Sequence, residues 1–160
     1  MADGVFNIAK GRVVEFHNRV NDSDPTNAEL VIVLLSNTTV QTDAQMRDHT
    51  TLGSIVAVNS EANFTNYVRK FLTDADVTAP TYDQGNDWTQ VDITVDPTWS
   101  AAGGTLDETL SRVIIGYDFD GNLSGNDTTI VPLTFHDFTP TTNGNDLVLQ
   151  IDANGYFRAT

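Results

Sequence analysis

The sequence predicts an α+β fold that is mainly β: a single domain with an N-terminal helix and an antiparallel sheet or small sandwich ending in a β-hairpin. Three observations predict it. Within Val5 to Val20, the residues Val5, Ile8, Ala9, Val13, Phe16 and Val20 recur at three- and four-residue spacing, which places them on one stripe of a helix. From Phe64 onward, short apolar runs alternate with polar residues and are punctuated by Gly, Pro, Asn and Asp, as half-buried strands and their turns require. Near the C-terminus, Asn154-Gly155 separates two alternating segments and supplies the backbone geometry of a tight hairpin turn.

Taken in order, the N-terminal helical segment covers residues 5–20, with Asp3 as its expected N-cap. Gly11 within it costs about 1 kcal/mol relative to Ala, which points to a kink or a close backbone contact there. The turn formers NDSDPTN at residues 21–27 end that helix, and the β-rich body, residues 29–160, opens on the continuous apolar run Glu29 to Leu35, read as a buried central strand. Asp43 is the expected N-cap of short helical pieces between Asp43 and Val58 that contain Met46, Leu52, Ile55 and Val56. Phe64 to Leu72 alternates as a strand, and Val91, Ile93 and Val95 form the clearest half-buried one. Ser100 to Thr105, with Gly103 and Gly104, is a loop. Strands follow at Val113 to Phe119 and Thr129 to Phe138, where Pro132 indicates an edge or a bulge. Leu147, Leu149 and Ile151 then pair with Tyr156 to Ala159 in the terminal hairpin. The sum is six to eight strands and two or three helices, with no internal repeat and no domain boundary within 1–160.

Charge narrows the classes of partner. Twenty-two acidic and eight basic residues leave the 160-residue chain at −14, with no cysteine. Such a body repels phosphate backbones and anionic lipid, so neither direct nucleic-acid binding nor a membrane partner is expected. Without cysteine there are no disulfides, thiolate metal sites or cysteine nucleophile, which fits a reducing cytoplasm. No basic and apolar leader opens the chain and no window has the length of a membrane span, so synthesis in the cytosol is expected. The charge is also segregated: residues 1–20 carry +1 and the remaining 140 carry −15.

Known chemical motifs find little purchase. His17, His49 and His136 lie far apart with no second ligand at metal spacing, and surface or packing roles are expected for each. Asp118-Phe119-Asp120-Gly121-Asn122 has oxygen ligands at alternate positions, as a calcium loop does. However, Leu123 stands where an EF-hand needs glycine and Thr129 where it needs glutamate, so a polar connection across Asp118–Asp127 is the better reading. There is no phosphate-binding glycine loop and no serine-hydrolase elbow. No enzyme and no cofactor are expected. The tryptophans Trp88 and Trp99 flank the clearest strand and are candidates for a carbohydrate or protein contact surface, against the alternative of core packing.

Six stretches carry a resemblance: VFNIAKGRVVEFHNRV, TNYVRKFLTDADVTAP, the loop Trp99-Ser-Ala-Ala-Gly-Gly, RVIIGYDFD, TIVPLTFHDF and the terminal GYFRAT. In this order, from near the first residue to the last, they resemble a family of small virion-associated proteins of tailed bacteriophages. The resemblance implies a structural particle component without catalytic residues, located in the virion and partnered by the major capsid protein or other virion subunits, with a homo-oligomer, a trimer, expected. A capsid decoration (cement) protein suits the acidic, cysteine-free chain best; a tail, neck or baseplate subunit is the alternative, and a carbohydrate- or receptor-binding module the alternative of another class. On the cement reading, Lys10, Arg12 and Arg19 are the expected contacts to an acidic neighbour.

Overall fold

A computed structural model describes residues 4–121 and 126–160. Its spine is an antiparallel pair. Strand β2 (Glu29–Ser36) runs against a nine-residue strand, Leu110–Asp118, and every residue of both is buried. A strand that is apolar at nearly every position, as ELVIVLL is, has to be covered on both faces, and this one is.

The chain reaches that arrangement through β1 (Gly4–Val5), a 3-10 turn at Asn7–Ala9, α1 (Val13–Asn21) and then β2. Two one-turn helices follow, α2 (Asp43–Arg47) and α3 (Leu52–Val56). The strands after them are β3 (Lys70–Leu72), β4 (Thr81–Asp83), β5 (Trp88–Val91), β6 (Thr98–Trp99), β7 (Leu110–Asp118), β8 (Val131–Asp137), β9 (Leu147–Val148) and β10 (Phe157–Ala159). They form a five-stranded sheet in the order β1-β8-β7-β2-β3, a three-stranded sheet β10-β5-β4 and the pair β6-β9. All described pairings are antiparallel, and the mainly-β α+β class is the one expected.

Alternation along β2 divides the core. Leu30, Ile32 and Leu34 face one layer with Val113, Ile115 and Tyr117, against Val13, Phe16 and Val20 of α1, Val91 of β5, and Trp99 and Tyr156. Val31, Val33 and Leu35 face the other with Ile114 and Phe135, against Met46 of α2 and Leu52 and Ile55 of α3. The large sheet is therefore the middle of three layers.

Several sequence expectations are corrected. The helix does not span 5–20. Gly11 adopts a left-handed φ of +75°, which ends the first turn, so α1 begins only at Val13 and Val5 is a strand residue paired with Thr134. Ile8 consequently leaves the apolar stripe and is exposed. Asp3 lies outside the described residues. The caps of the short helices are Thr42 and Thr51, each in a capping box with Gln45 or Ser54; Asp43 is the first helical residue of α2.

The run from Phe64 becomes strand only at Lys70, since Tyr67 and Arg69 are drawn into a polar network described below. Val95, at the end of the clearest predicted strand, is exposed, because β5 stops at Val91 and only a single bridge, Val77 to Ile93, continues it. The terminal hairpin is absent as such. Gly155 does turn the chain with φ +74° and its N–H bonds to the Asp152 carbonyl, but the two arms separate: β9 pairs with β6 and β10 with β5. Pro132 sits opposite Gly116 at a register shift between β7 and β8, the bulge its missing N–H demands.

Gly116 is also a place where no side chain fits. A Cβ there would stand 2.9 Å from Ile130 Cγ2 and 3.4 Å from the Val131 carbonyl oxygen, in a strand held on both sides. Gly116→Ala is expected to lower the unfolding free energy by about 1–3 kcal/mol, read by urea denaturation, with the fold retained.

Candidate functional site

The positive charge of the N-terminal segment is partly committed within the molecule. Arg12, just ahead of α1, donates from Nε to Glu15 Oε2 at 3.0 Å and from Nη2 to Glu15 Oε1 at 3.3 Å, and its guanidinium lies 4.4 Å from the Phe16 ring centre. Arg19, one turn beyond Glu15, reaches its Oε1 at 3.2 Å. Spacings of three and four residues on a helix bring these groups together. The two cations, Arg12 foremost, hold the Glu15 carboxyl below its ordinary range, and Glu15 raises Arg12 in return. Lys10, two residues before Arg12, is exposed. Two of the three predicted cations, exposed Arg12 and half-buried Arg19, are thus clasped around a single carboxylate, and Lys10 has no part in that pairing.

The two tryptophans part company. Trp99 is 1% exposed, and its indole N–H donates to the Val68 carbonyl at 2.7 Å, so it is a core residue and drops out as a surface contact. Trp88 is half-buried in the three-stranded sheet, with the Arg158 guanidinium 4.2 Å from its ring centre. Arg158 is steadied in turn by Gln90 Oε1 at 3.1 Å and Asn154 Oδ1 at 2.5 Å. A shallow cleft of about 510 Å³ borders this region, lined by Tyr82, Asp83, Asp87, Trp88 and Thr160 among others. A second cleft, about 490 Å³, lies between β7, β8 and the C-terminal segment, with Val113, Ile115, Phe138 and Tyr156 in its lining and His136 and Asp152 among its polar groups.

Each histidine has neighbours of its own. Buried His17 bonds through Nε2 to the Thr78 carbonyl at 2.7 Å, which makes that nitrogen the N–H donor, and through Nδ1 to the Tyr156 hydroxyl at 3.0 Å. It therefore joins α1 to β10's approach and to the turn before β4. His49 bonds to Ser54 Oγ and Gln41 Oε1, and His136 to Thr134 Oγ1. Among the described residues, no three His, Asp or Glu converge as a metal centre would require, and no helix is long and apolar enough to cross a membrane. Asn122 to Gly125 of the predicted polar connection lie outside the described residues.

Sequence reasoning missed the most heavily bonded cation. Arg69 donates from Nε and Nη2 to the Glu61 carboxylate at 2.7 and 2.6 Å, and from Nη1 and Nη2 to Asp127 at 2.5 and 3.0 Å. Tyr67 adds its hydroxyl to Glu61 Oε1 at 2.9 Å and accepts the Leu34 N–H of β2. Both carboxylates raise the guanidinium's pKa, and burial beside Glu61 raises that of the Tyr67 hydroxyl. Asp127 is thereby engaged in the fold. Positions 61, 69 and 127 share no local spacing, so nothing short of the tertiary structure joins them. Arg112 is likewise buried on Asp43 at 2.6 Å.

Comparison with families of known proteins, with curated proteins and with solved structures returns no match to this chain.

Arg69→Ala strands two partly buried carboxylates and is expected to destabilise the fold by about 2–3 kcal/mol, measured by denaturant unfolding, the lower end reflecting residual solvent access. Burial holds His17 below its ordinary pKa. Its unfolded form binds a proton more readily, so its contribution to stability is complete above about pH 6.5 and is lost as pH falls towards the folded-state value. Stability should decline from pH 7 to 5 with a slope of up to about 1.4 kcal/mol per pH unit from this residue. His17→Gln should flatten that slope in melts across the range, leaving the smaller part due to His49, which burial also lowers.

Proposed function

We propose that this chain is a structural protein of a tailed-bacteriophage virion, a capsid decoration protein that binds the outer face of the head and clamps neighbouring subunits. The observation that carries the reading is the ordered resemblance of six stretches, and its distribution over the fold gives it physical content. VFNIAKGRVVEFHNRV contains the end of β1 and all but the last residue of α1, RVIIGYDFD is most of β7, TIVPLTFHDF contains β8 and GYFRAT contains β10. TNYVRKFLTDADVTAP holds β3, and the Trp99 loop contributes a core tryptophan and the left-handed Gly103 and Gly104. The resembling stretches thus cover much of the helix and strand framework, although β2 itself lies outside them.

Charge supports the outward position. With 22 acids the body repels its own copies in solution, while the N-terminal patch of Lys10, Arg12 and Arg19 offers cations to an acidic neighbour. Each copy then needs only an ordinary interface, because repetition over a shell multiplies modest contacts.

Particle composition tests this directly. Quantitative mass spectrometry of purified virions should find hundreds of copies, and particles lacking the protein should release DNA at a lower temperature. A copy number that is a small multiple of three or six would instead indicate a neck, tail or baseplate ring. Replacing Lys10, Arg12 and Arg19 together by Gln should leave the domain folded and reduce its occupancy on the particle; wild-type occupancy would remove the patch from the interface.

A further inference from the structure

We infer that Asn143 is a site of spontaneous covalent modification, deamidation through a succinimide, and that the fold shields Asn154, which has the same following residue, from that reaction. The chain holds two Asn-Gly dipeptides, Asn143-Gly144 and Asn154-Gly155. In such a pair the backbone nitrogen of the glycine attacks the side-chain Cγ of the asparagine, an approach that the absence of a Cβ leaves open. The nitrogen gives up its proton, the new N–Cγ bond closes a five-membered imide, and the amide nitrogen departs as ammonia. Solvent water then opens the imide at one of its two carbonyls, which leaves an aspartyl or an isoaspartyl residue.

The two sites differ in what ring closure has to break. Both asparagines are exposed. Asn143 Oδ1 accepts the Asn145 N–H at 3.1 Å, a turn that folds the side chain back over the Gly144 nitrogen. Its amide nitrogen, the leaving group, has no hydrogen-bond partner among the described residues. The Gly144 N–H donates to the Ala102 carbonyl at 2.7 Å, and that bond has to open first. Asn154 is clamped at both ends of its amide: Nδ2 donates to Asp152 Oδ1 at 2.6 Å, and Oδ1 accepts from Arg158 Nη2 at 2.5 Å. The Gly155 N–H is held by the Asp152 carbonyl at 2.8 Å, and Arg158 is fixed in turn by Gln90 and the Trp88 ring. Space acts in the same direction. Closure rotates the peptide between the two residues, and Gly155 lies against β5, where a Cβ would stand 2.2 Å from the Val91 carbonyl oxygen. At Gly144 the nearest atom to such a Cβ is Gly104 Cα, at 3.3 Å.

Two charge-assisted hydrogen bonds are therefore given up at 154 that 143 does not have, which slows the reaction there on the order of tenfold. Conversion at 143 falls where two loops are stitched together. The Gly144 bond to Ala102 and its reciprocal, from the Ala102 N–H to the Asn145 carbonyl at 2.9 Å, tie this loop to the one that follows Trp99. An isoaspartyl link lengthens the main chain by one carbon inside that ladder, and either product adds a carboxylate to a chain already at −14. This holds whatever the chain's place in a particle, and it stands or fails separately from the virion reading.

The test is incubation of the folded full chain in neutral buffer below its melting temperature, beside the same chain unfolded in urea. Peptide mapping by electron-transfer mass spectrometry places aspartate and isoaspartate at each position. In urea, without tertiary contacts, the two sites should convert at comparable rates. In the folded chain, position 143 should convert about tenfold faster than 154, and Arg158→Ala should bring 154 up towards 143. If Arg158→Ala does not fold, the wild-type ratio, folded against unfolded, decides alone. Equal or faster conversion at 154 in the folded chain, an unmodified 143 after the unfolded chain has converted fully, or a rate at 154 that folded Arg158→Ala leaves unchanged would each overturn the assignment.

Discussion

The pairing of β2 with β7 is the constraint from which the rest of the structure follows. Both strands are buried along their whole length, and a sheet whose middle is apolar on two faces has to be covered twice. The early helices divide that work: α1 lies on the Leu30, Ile32, Leu34 face and the one-turn α2 and α3 on the Val31, Val33, Leu35 face. Helices of five residues are too short to hold by propensity, and here each is fixed by a capping box at one end and a buried Met46, Leu52 or Ile55 against the sheet.

Polar groups mark the margins of this core. Arg69 joins the segment at Glu61 to that at Asp127, and through Tyr67 it reaches the β2 backbone. His17 performs the corresponding service on the opposite face, linking α1 to Tyr156 and to the Thr78 carbonyl. In both places a loop with few apolar residues is held by charge-assisted or buried hydrogen bonds, which are directional and so fix position as well as adding stability.

Function in this reading resides on surfaces. Cations lie on the N-terminal segment, and the acidic excess belongs to the other 140 residues, so the charge of the chain is segregated along its length. Glu15 tempers the patch by pairing with Arg12 and Arg19, which leaves Lys10 the cation least tied to the fold. Trp88 with Arg158 makes a second, distinct surface on the small sheet, where stacking holds both side chains in place.

The sequence by itself determined the class of fold, the buried strand at Glu29 to Leu35, the strands that became β7 and β8, and the charge segregation, because each of these is written in local periodicity or composition. It also marked the turns at Gly103, Gly104 and Gly155, where left-handed backbone favours glycine. Pattern alone extended the first helix through Gly11 and closed Leu147 to Ala159 into a hairpin. The structure decided otherwise: Val5 pairs with β8, and the two terminal arms pair separately with β6 and β5. The same holds for sites. Lys10, Arg12 and Arg19 were legible because they sit on one short segment. Trp99 in the core and Arg69 between Glu61 and Asp127 were not, because residues far apart in the chain meet only when strand order and register are set, and register is a property of the whole sheet.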